Sequence, residues 1–464
     1  VSAVLEVGRL WARPWEGPPG GPARIVMEGG RIARIEPGGT GTGLALPGLV
    51  NAHDHARGLR PLAGGVEDGP LEGWLWRLRG LPGLDPWLNA AVAFGRMARS
   101  GVTAVADLHL PVDPLDPGEA GAVARAARDV GLTVAFVAPV VDRNLDGLDG
   151  GRGVRAALGP AAYARLERPL PPAAEQVALA DAAAEALGDE RFVVQYGPAG
   201  PHWVGEAGWR LLAARAAETG RRVHTHLLET AAQRDWLDRE HGGRPLDWLE
   251  GLGLLGPGLT VAHGVHLRPD ECRRLAGAGA LLAVNASSNL RLASGVAPGA
   301  AIAAAGLAFG IGLDGLALGD DEDMLAEIRL AAALLRGWGP GAAGPGPAEI
   351  WRAAASWGWR AIDGRDGEGL REGARADVVV LEEEAMMGDR LDEDPSPALI
   401  LGRMRREAVR EVWAGGRPIV RGGWPLGIDL PALERELLAQ ARRARPDAAL
   451  RALAARAAAV AEGR

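Results

Sequence analysis

The chain contains no lysine: all 51 of its basic residues are arginine. Codon bias is a sufficient cause, but the chemical consequence is firm. Without an ε-amine the protein can form no Schiff base, has no P-loop lysine, and cannot bridge two metal ions through a carboxylated lysine. Cysteine is almost as scarce. The single Cys272 excludes an intrachain disulfide, suits a reducing compartment and reads as a small helix residue rather than a nucleophile. No stretch approaches the roughly 18 apolar residues of a membrane span. Val1–Arg13 lacks the apolar centre of a secretion signal. A formal net charge of −8 leaves no basic field for nucleic acid or an anionic membrane. The expectation is a cytoplasmic protein.

What the chain does have is a series of short apolar runs that end in polar residues. Leu46-Pro-Gly-Leu-Val-Asn-Ala-His-Asp-His55 is the first. Others are Val102–Ala106 before Asp107 and His109, Leu132–Val137 before Asp142, and Phe192–Tyr196 before His202 and Trp203. Arg222–His226 leads to Glu229, and Leu259–His263 to His266. Ala280–Val284 runs into Asn285–Asn289, and Ala308–Leu313 ends in Asp314. Stretches with helical spacing lie between most of them, such as Leu88–Ser100, Ala120–Asp129, Glu206–Thr219, Asp270–Gly277 and Ala300–Ala305. Eightfold strand–helix alternation predicts an α/β fold, a (β/α)8 barrel, whose chemistry sits at the C-terminal strand ends.

At 464 residues the chain exceeds the roughly 250 of a bare barrel, so a second module is needed. Residues 1–45 read as short strands, among them Ala3–Val7, Ala23–Met27 and Gly30–Ile35. Residues 366–425 do the same, at Ala376–Leu381, Val409–Trp413 and Arg417–Val420. Neither piece suffices alone, so both chain ends are expected to build a small β-sandwich beside a barrel over 46–365. Residues 426–464 read as a helix pair broken near Pro446, a solvated amphipathic cap. Gly337–Pro347 reads as a surface loop.

On a strand, residues i and i+2 share a face, so His53 and His55 project together. His226 ends the fifth run and Asp314 the eighth, and a barrel can aim all four side chains at one point. Three nitrogens and one oxygen suit Zn²⁺, with Fe²⁺ or Mn²⁺ as alternatives. His109, and His202 with Trp203, end other strands and are candidate pocket residues, while His224, on the strand face of His226, reads as a support of the barrel interior.

These residues resemble the amidohydrolase superfamily, in particular its aminohydrolase branch, which includes cytosine, guanine and S-adenosylhomocysteine deaminases and triazine hydrolases. The matching pieces are Pro47–His55, His224-Thr-His-Leu-Leu-Glu-Thr230, Ala262–Leu267, Ser288–Gly295, Gly312-Leu-Asp-Gly315, Asp323–Ala331 and Gly369–Val378. The resemblance implies one divalent metal ion on His53, His55, His226 and Asp314. It implies that Glu229 shuttles a proton to a ring nitrogen. It implies that His263 holds the attacking water or the emerging oxygen, and that Asp314 also accepts the water's proton. The loop Ala56–Pro86, with Trp74 in Leu71–Leu75, resembles one that closes over substrate. The implied reaction is hydrolytic deamination of an amino-substituted pyrimidine, purine, pterin or triazine by a homo-oligomer. Cleavage of a cyclic amide, carbon–halogen or carbon–alkylamine bond stays open, as does a non-enzymatic barrel relative. Two departures weaken an adenosine-type substrate. Pro198-Ala199 stands where nucleoside deaminases carry Pro-His, and Gly319-Asp-Asp321 where they often show Ser-Asn-Asn.

Overall fold

Each of the eight apolar runs forms a strand, and the eight close into one parallel barrel in chain order. They are β1 (Leu49–Asp54), β2 (Val102–Leu108), β3 (Thr133–Val140) and β4 (Phe192–Pro198), then β5 (Val223–Leu227), β6 (Leu259–His263), β7 (Leu281–Val284) and β8 (Phe309–Ile311). The computed structural model describes residues 2–111, 114–143, 148–149, 151–168, 170–337, 341, 343–392 and 394–463. Asn144 at the end of the third run, and 338–340 and 342 in the expected Gly337–Pro347 loop, lie outside the described residues.

Alternation along the strands sorts two cores. The barrel interior takes small side chains: Val50, Ala52, Ala104, Ala106, Ala135, Val137, Ala262 and Ala283 pack together with Trp359 and Ile362. Trp359 and Ile362 precede the C-terminal sandwich strands and stopper the end of the barrel away from the strand termini that carry polar residues. Gln195 ties them in by donating to the carbonyls of Ala361 and Ile362. Larger residues fill the layer between strands and helices, with Phe136 and Phe309 from the strands and Phe94, Trp209 and Trp351 from the helices among them. The helices Pro86–Arg99, Gly118–Val130, Glu206–Thr219, Pro269–Ala278 and Gly299–Ala305 fall where the spacing placed them.

The chain ends form two further sheets. Ser2–Val7, Ala23–Glu28 and Arg31–Pro37 make a three-stranded antiparallel sheet. In the six-stranded sheet, Leu44–Pro47 from the N-terminal side pairs antiparallel with Val378–Leu381 from the C-terminal side. Leu5, Ile25, Met27 and Ile32 pack there against Val378, Val380 and Trp413, so neither end has a core without the other.

The C-terminal pair is Leu430–Arg443 and Ala448–Ala461. Here the structure departs from the expected solvated cap. Leu453, Ala454, Ala457 and Ala458 of the last helix are buried against Trp76, Val154, Tyr163 and Leu166. Alanine keeps that face narrow enough for close contact, but composition alone cannot name a partner so distant in sequence.

Candidate metal centre

The strand ends bring His53, His55, His226, His263 and Asp314 together. His53 and His55 leave β1 on one face, as their spacing requires. Ligand atoms of His53, His226, His263 and Asp314 all lie within 4.8 Å of one another. His55 Nε2 is 2.9 Å from Asp314 Oδ1, and His53 Nε2 is 3.2 Å from the same oxygen. Asp314 is drawn in by its own amide, which donates to the carbonyl of His53 at 3.0 Å. Gly312 permits that approach, since a Cβ there would fall 2.3 Å from Asn285 Oδ1. His263 and Asp314 both adopt left-handed backbone, with φ of 72° and 59°. Such strain costs about 1–3 kcal/mol per residue and persists where surrounding structure enforces it.

Each imidazole is held from behind through Nδ1. His55 Nδ1 is 2.6 Å from the Leu108 carbonyl, and His226 Nδ1 is 2.6 Å from the Ala199 carbonyl. A carbonyl only accepts, so both rings carry the proton on Nδ1. His263 Nδ1 donates to Asn289 Oδ1 at 2.8 Å. His53 Nδ1 lies 3.0 Å from His224 Nε2. Such partners behind a ligating ring fix its tautomer and turn. His224, which reads from sequence as a support of the barrel interior, is therefore in contact with the centre. Burial keeps His53 neutral, pushing it down to about 4, and holds His224 and His226 well below the usual histidine range.

Glu229 lies beside this group, with Oε2 3.7 Å from His263 Nε2. It is 2 % exposed, and burial raises its carboxyl to about 7. Its Oε1 has no hydrogen-bond partner among the described residues. Ser288 Oγ donates to Asp314 Oδ2 at 2.5 Å. Ser288 and Asn289 carried a sequence signal, the polar cluster after β7, but their partners did not. Arg57, which donates to the Asp314 carbonyl at 2.7 Å, was visible only as a charge in a long loop.

An apolar wall adjoins the centre, built from Val66, Leu71, Trp74, Ala199, Trp203, Leu292 and Leu316. The Trp203 ring is 6.1 Å from His226, and Arg57 sits over the face of Trp74 at 5.3 Å. His202 stands behind Trp203 at 4.0 Å between ring centroids, and burial lowers it to about 3.

His109 is engaged elsewhere: its Nε2 meets Glu119 Oε2 at 2.8 Å, with Asp107 Oδ2 3.8 Å from Nδ1. Burial works against its charge, but the two carboxylates outweigh burial and raise it to about 9. A folded-state value above the unfolded ~6.5 contributes stability that is complete below pH ~6.5 and lost as pH climbs through ~9. The wild-type melting temperature should therefore fall more steeply than that of His109→Gln between pH 6.5 and 9.5. The difference should correspond to about 3 kcal/mol at most, at about 1.4 kcal/mol per pKa unit. Parallel curves would remove the ion pair from the account of stability.

Comparison with known proteins agrees with this architecture. The chain is 32% identical over 344 residues to a 5-methylthioadenosine/S-adenosylhomocysteine deaminase of Haloquadratum walsbyi, covering 73% of this chain and 71% of that one. It is 32% identical over 451 residues to an 8-oxoguanine deaminase of Pseudomonas aeruginosa, covering 88% and 92%. In fold it is similar to a zinc-bound adenosine deaminase from Xanthomonas campestris, with a TM-score of 0.79 and 24% identity over 95% of this chain and 98% of that one. Residues 44–419, from the sandwich strand before β1 to the sandwich strands after the barrel, match one family throughout, and the chain belongs to it: the amidohydrolase family.

Proposed function

We propose that this protein is a metal-dependent hydrolytic deaminase that releases ammonia from an amino-substituted N-heterocycle such as a pyrimidine, purine, pterin or triazine. The observation that carries the reading is a set of imidazoles, each tied through Nδ1, facing one buried carboxylate beside a second carboxyl raised to about 7. The similarity to two named deaminases supports it. Cys272 is buried and needs no oxidising surroundings, which suits the cytoplasm. Among the described residues no helix is long and apolar enough to cross a membrane.

The residues fit a divalent cation. With Nδ1 protonated, the His55 ring turns a lone pair toward Asp314 Oδ1 at 2.9 Å. Lone pairs facing a carboxylate oxygen repel unless a cation draws them in. His53 Nε2 and Asp314 Oδ1 likewise have no hydrogen-bond partner among the described residues. His53, His55, His226 and Asp314 would hold the ion, with His263 close enough to reach it or its water. Bound there, zinc, or alternatively iron(II) or manganese(II), supplies the Lewis acidity that lets water lose a proton near neutral pH.

The chain's own groups do the rest. His263 Nε2, left with a lone pair, accepts a hydrogen bond from the attacking water. Asp314 takes the proton that water loses and passes it to the amino group, which leaves as ammonia when its C–N bond breaks, while the remaining proton of the new hydroxyl restores Glu229. Ser288 fixes the Asp314 oxygen that is turned away. Glu229, protonated below about pH 7, delivers a proton to the ring nitrogen next to the amino carbon. The Trp74–Trp203 wall excludes bulk water and offers a flat ring two aromatic neighbours. Assaying aminopyrimidines, aminopurines, pterins and triazines for ammonia tests the reading. Halide or alkylamine release without ammonia would assign the centre to another hydrolysis, and no product from any class would defeat the proposal.

Elemental analysis of protein purified without added metal should find about one divalent ion per chain, and two stoichiometric ions would contradict a mononuclear centre. His224→Leu removes the acceptor behind His53 and should weaken metal binding by about 10–100-fold in a chelator competition. His224→Gln, whose carbonyl can still accept, should recover part of that loss. Equal affinities for all three proteins would show that His224 does not orient His53.

A further inference from the structure

The segment Leu71–Arg77 forms a short helix with two aromatic faces. Trp74 and Trp76 stand about 200° apart around it. Trp74 packs with Trp203 and Leu292 in the wall beside the centre. Trp76 faces the other way and is buried with Leu453, Ala454, Ala457 and Ala458 of the C-terminal helix. Glu72 of the same helix accepts from Thr230 Oγ1 at 2.7 Å through its Oε1, and Thr230 is the neighbour of Glu229. At the end of the helix Arg77 pairs with Glu462 at 2.5 Å, and the Glu462 side chain is 2 % exposed. Gly73 lets that carboxylate lie against the helix, because a Cβ there would fall 2.1 Å from Glu462 Oε1. One short helix thus touches both the loop of the proposed proton donor and the C-terminal helix.

The C-terminal helix lies beyond residue 419, outside the stretch that matches the family. Its own sequence is that of a surface element, yet its alanine face is spent on the covering helix and on Val154, Tyr163 and Leu166. Its effect is on the covering helix, which spans only two turns. A helix of that length is not stable by itself and takes its position from what packs on it.

We propose that Ala448–Glu462 is a strap that fixes the covering helix over the centre. Trp76 and Glu462 are positioning residues, setting where Trp74 stands against Trp203 and so how tightly a flat ring is held. The proposal deepens the functional reading given above and rests on it for the substrate. Strapping acts on binding of the ring, while the proton transfers belong to Glu229, His263 and Asp314. Loosening the strap therefore raises KM and leaves kcat nearly unchanged.

The test uses the metal-loaded full chain. In Trp76→Ala and in Glu462→Ala, amide hydrogen exchange of residues 71–77 should speed up by about tenfold or more, while the strands β5 and β6 keep their protection. With an ammonia-releasing substrate, KM should rise by about tenfold with kcat within about twofold of wild type. Trp76→Phe and Glu462→Gln, which keep an aromatic ring and an acceptor, should return both readings toward wild type. Glu462→Ala sits at a helix end and keeps the test in force should Trp76→Ala not fold. Unchanged exchange at 71–77, or faster exchange with KM unmoved, would overturn the strap. The exchange arm is read without substrate, so a wild-type protein that turns over no heterocyclic amine would defeat the functional reading and leave the strap to be decided by exchange.

Discussion

Glu229→Gln is expected to keep its metal and lose turnover by about 10²-fold or more, the usual scale for a positioned acid–base group. The amide preserves the shape of a side chain that is almost fully buried, so the fold and the rings around it have no reason to move. What disappears is an exchangeable proton poised near neutrality, where burial holds the carboxyl at about 7. Metal content by elemental analysis and kcat on the same preparation separate the two roles. A variant that came off the column without metal would make Glu229 a ligand and the proton-shuttle assignment wrong. An undiminished kcat would remove it from the reaction altogether.

Asp314→Asn should fail in both respects. The carboxylate stands within 3.2 Å of His53 Nε2 and His55 Nε2 and supplies the negative charge of the candidate donor set. An amide of the same size keeps one weak oxygen donor and cannot take up the water's proton. Metal content after a chelator wash should fall well below one ion per chain, and turnover should drop by about 10³-fold or more, since Lewis acid and base are lost together. Normal metal content with normal kcat would refute both roles. Thermal unfolding distinguishes this from collapse of the barrel, because the Ala52–Ala106–Ala262 interior is untouched by the change.

The contrast between these two carboxyls shows what a sequence can and cannot reveal. His53, His55, His226 and Asp314 were legible because strand-length apolar runs place their last residues at one end of a barrel, and side-chain type at that end is a direct statement about chemistry. The eight strands were legible for the same reason, through runs of Val, Ala and Leu bounded by polar residues. The devices that orient the rings were not. Two are the backbone carbonyls of Leu108 and Ala199, which any residue would supply, so no side-chain pattern marks them. From sequence His224 reads as interior support, because a strand face does not disclose that its Nε2 meets His53 Nδ1. The resemblance gives His263 to the water, and the structure brings one of its ring nitrogens within 4.8 Å of ligand atoms of His53, His226 and Asp314. The contact between Trp76 and Leu453 was out of reach because the two faces are separated by most of the chain, and amphipathic spacing announces a buried side without saying what covers it.

The pairing of Leu44–Pro47 with Val378–Leu381 also sets a schedule for the growing chain. A strand rich in leucine leaves the ribosome early, while its hydrogen-bonding partner is encoded about 330 residues downstream. At roughly 5–20 residues per second, translation delivers that partner some 15–70 s later. Throughout that interval one edge of Leu44–Pro47 has no hydrogen-bonding partner and the N-terminal sheet lacks the C-terminal half of its core, while the barrel is made between them. Nascent-chain stability is therefore decided late, and a release or truncation before residue 381 leaves a strand edge exposed of the kind that aggregates or recruits a chaperone.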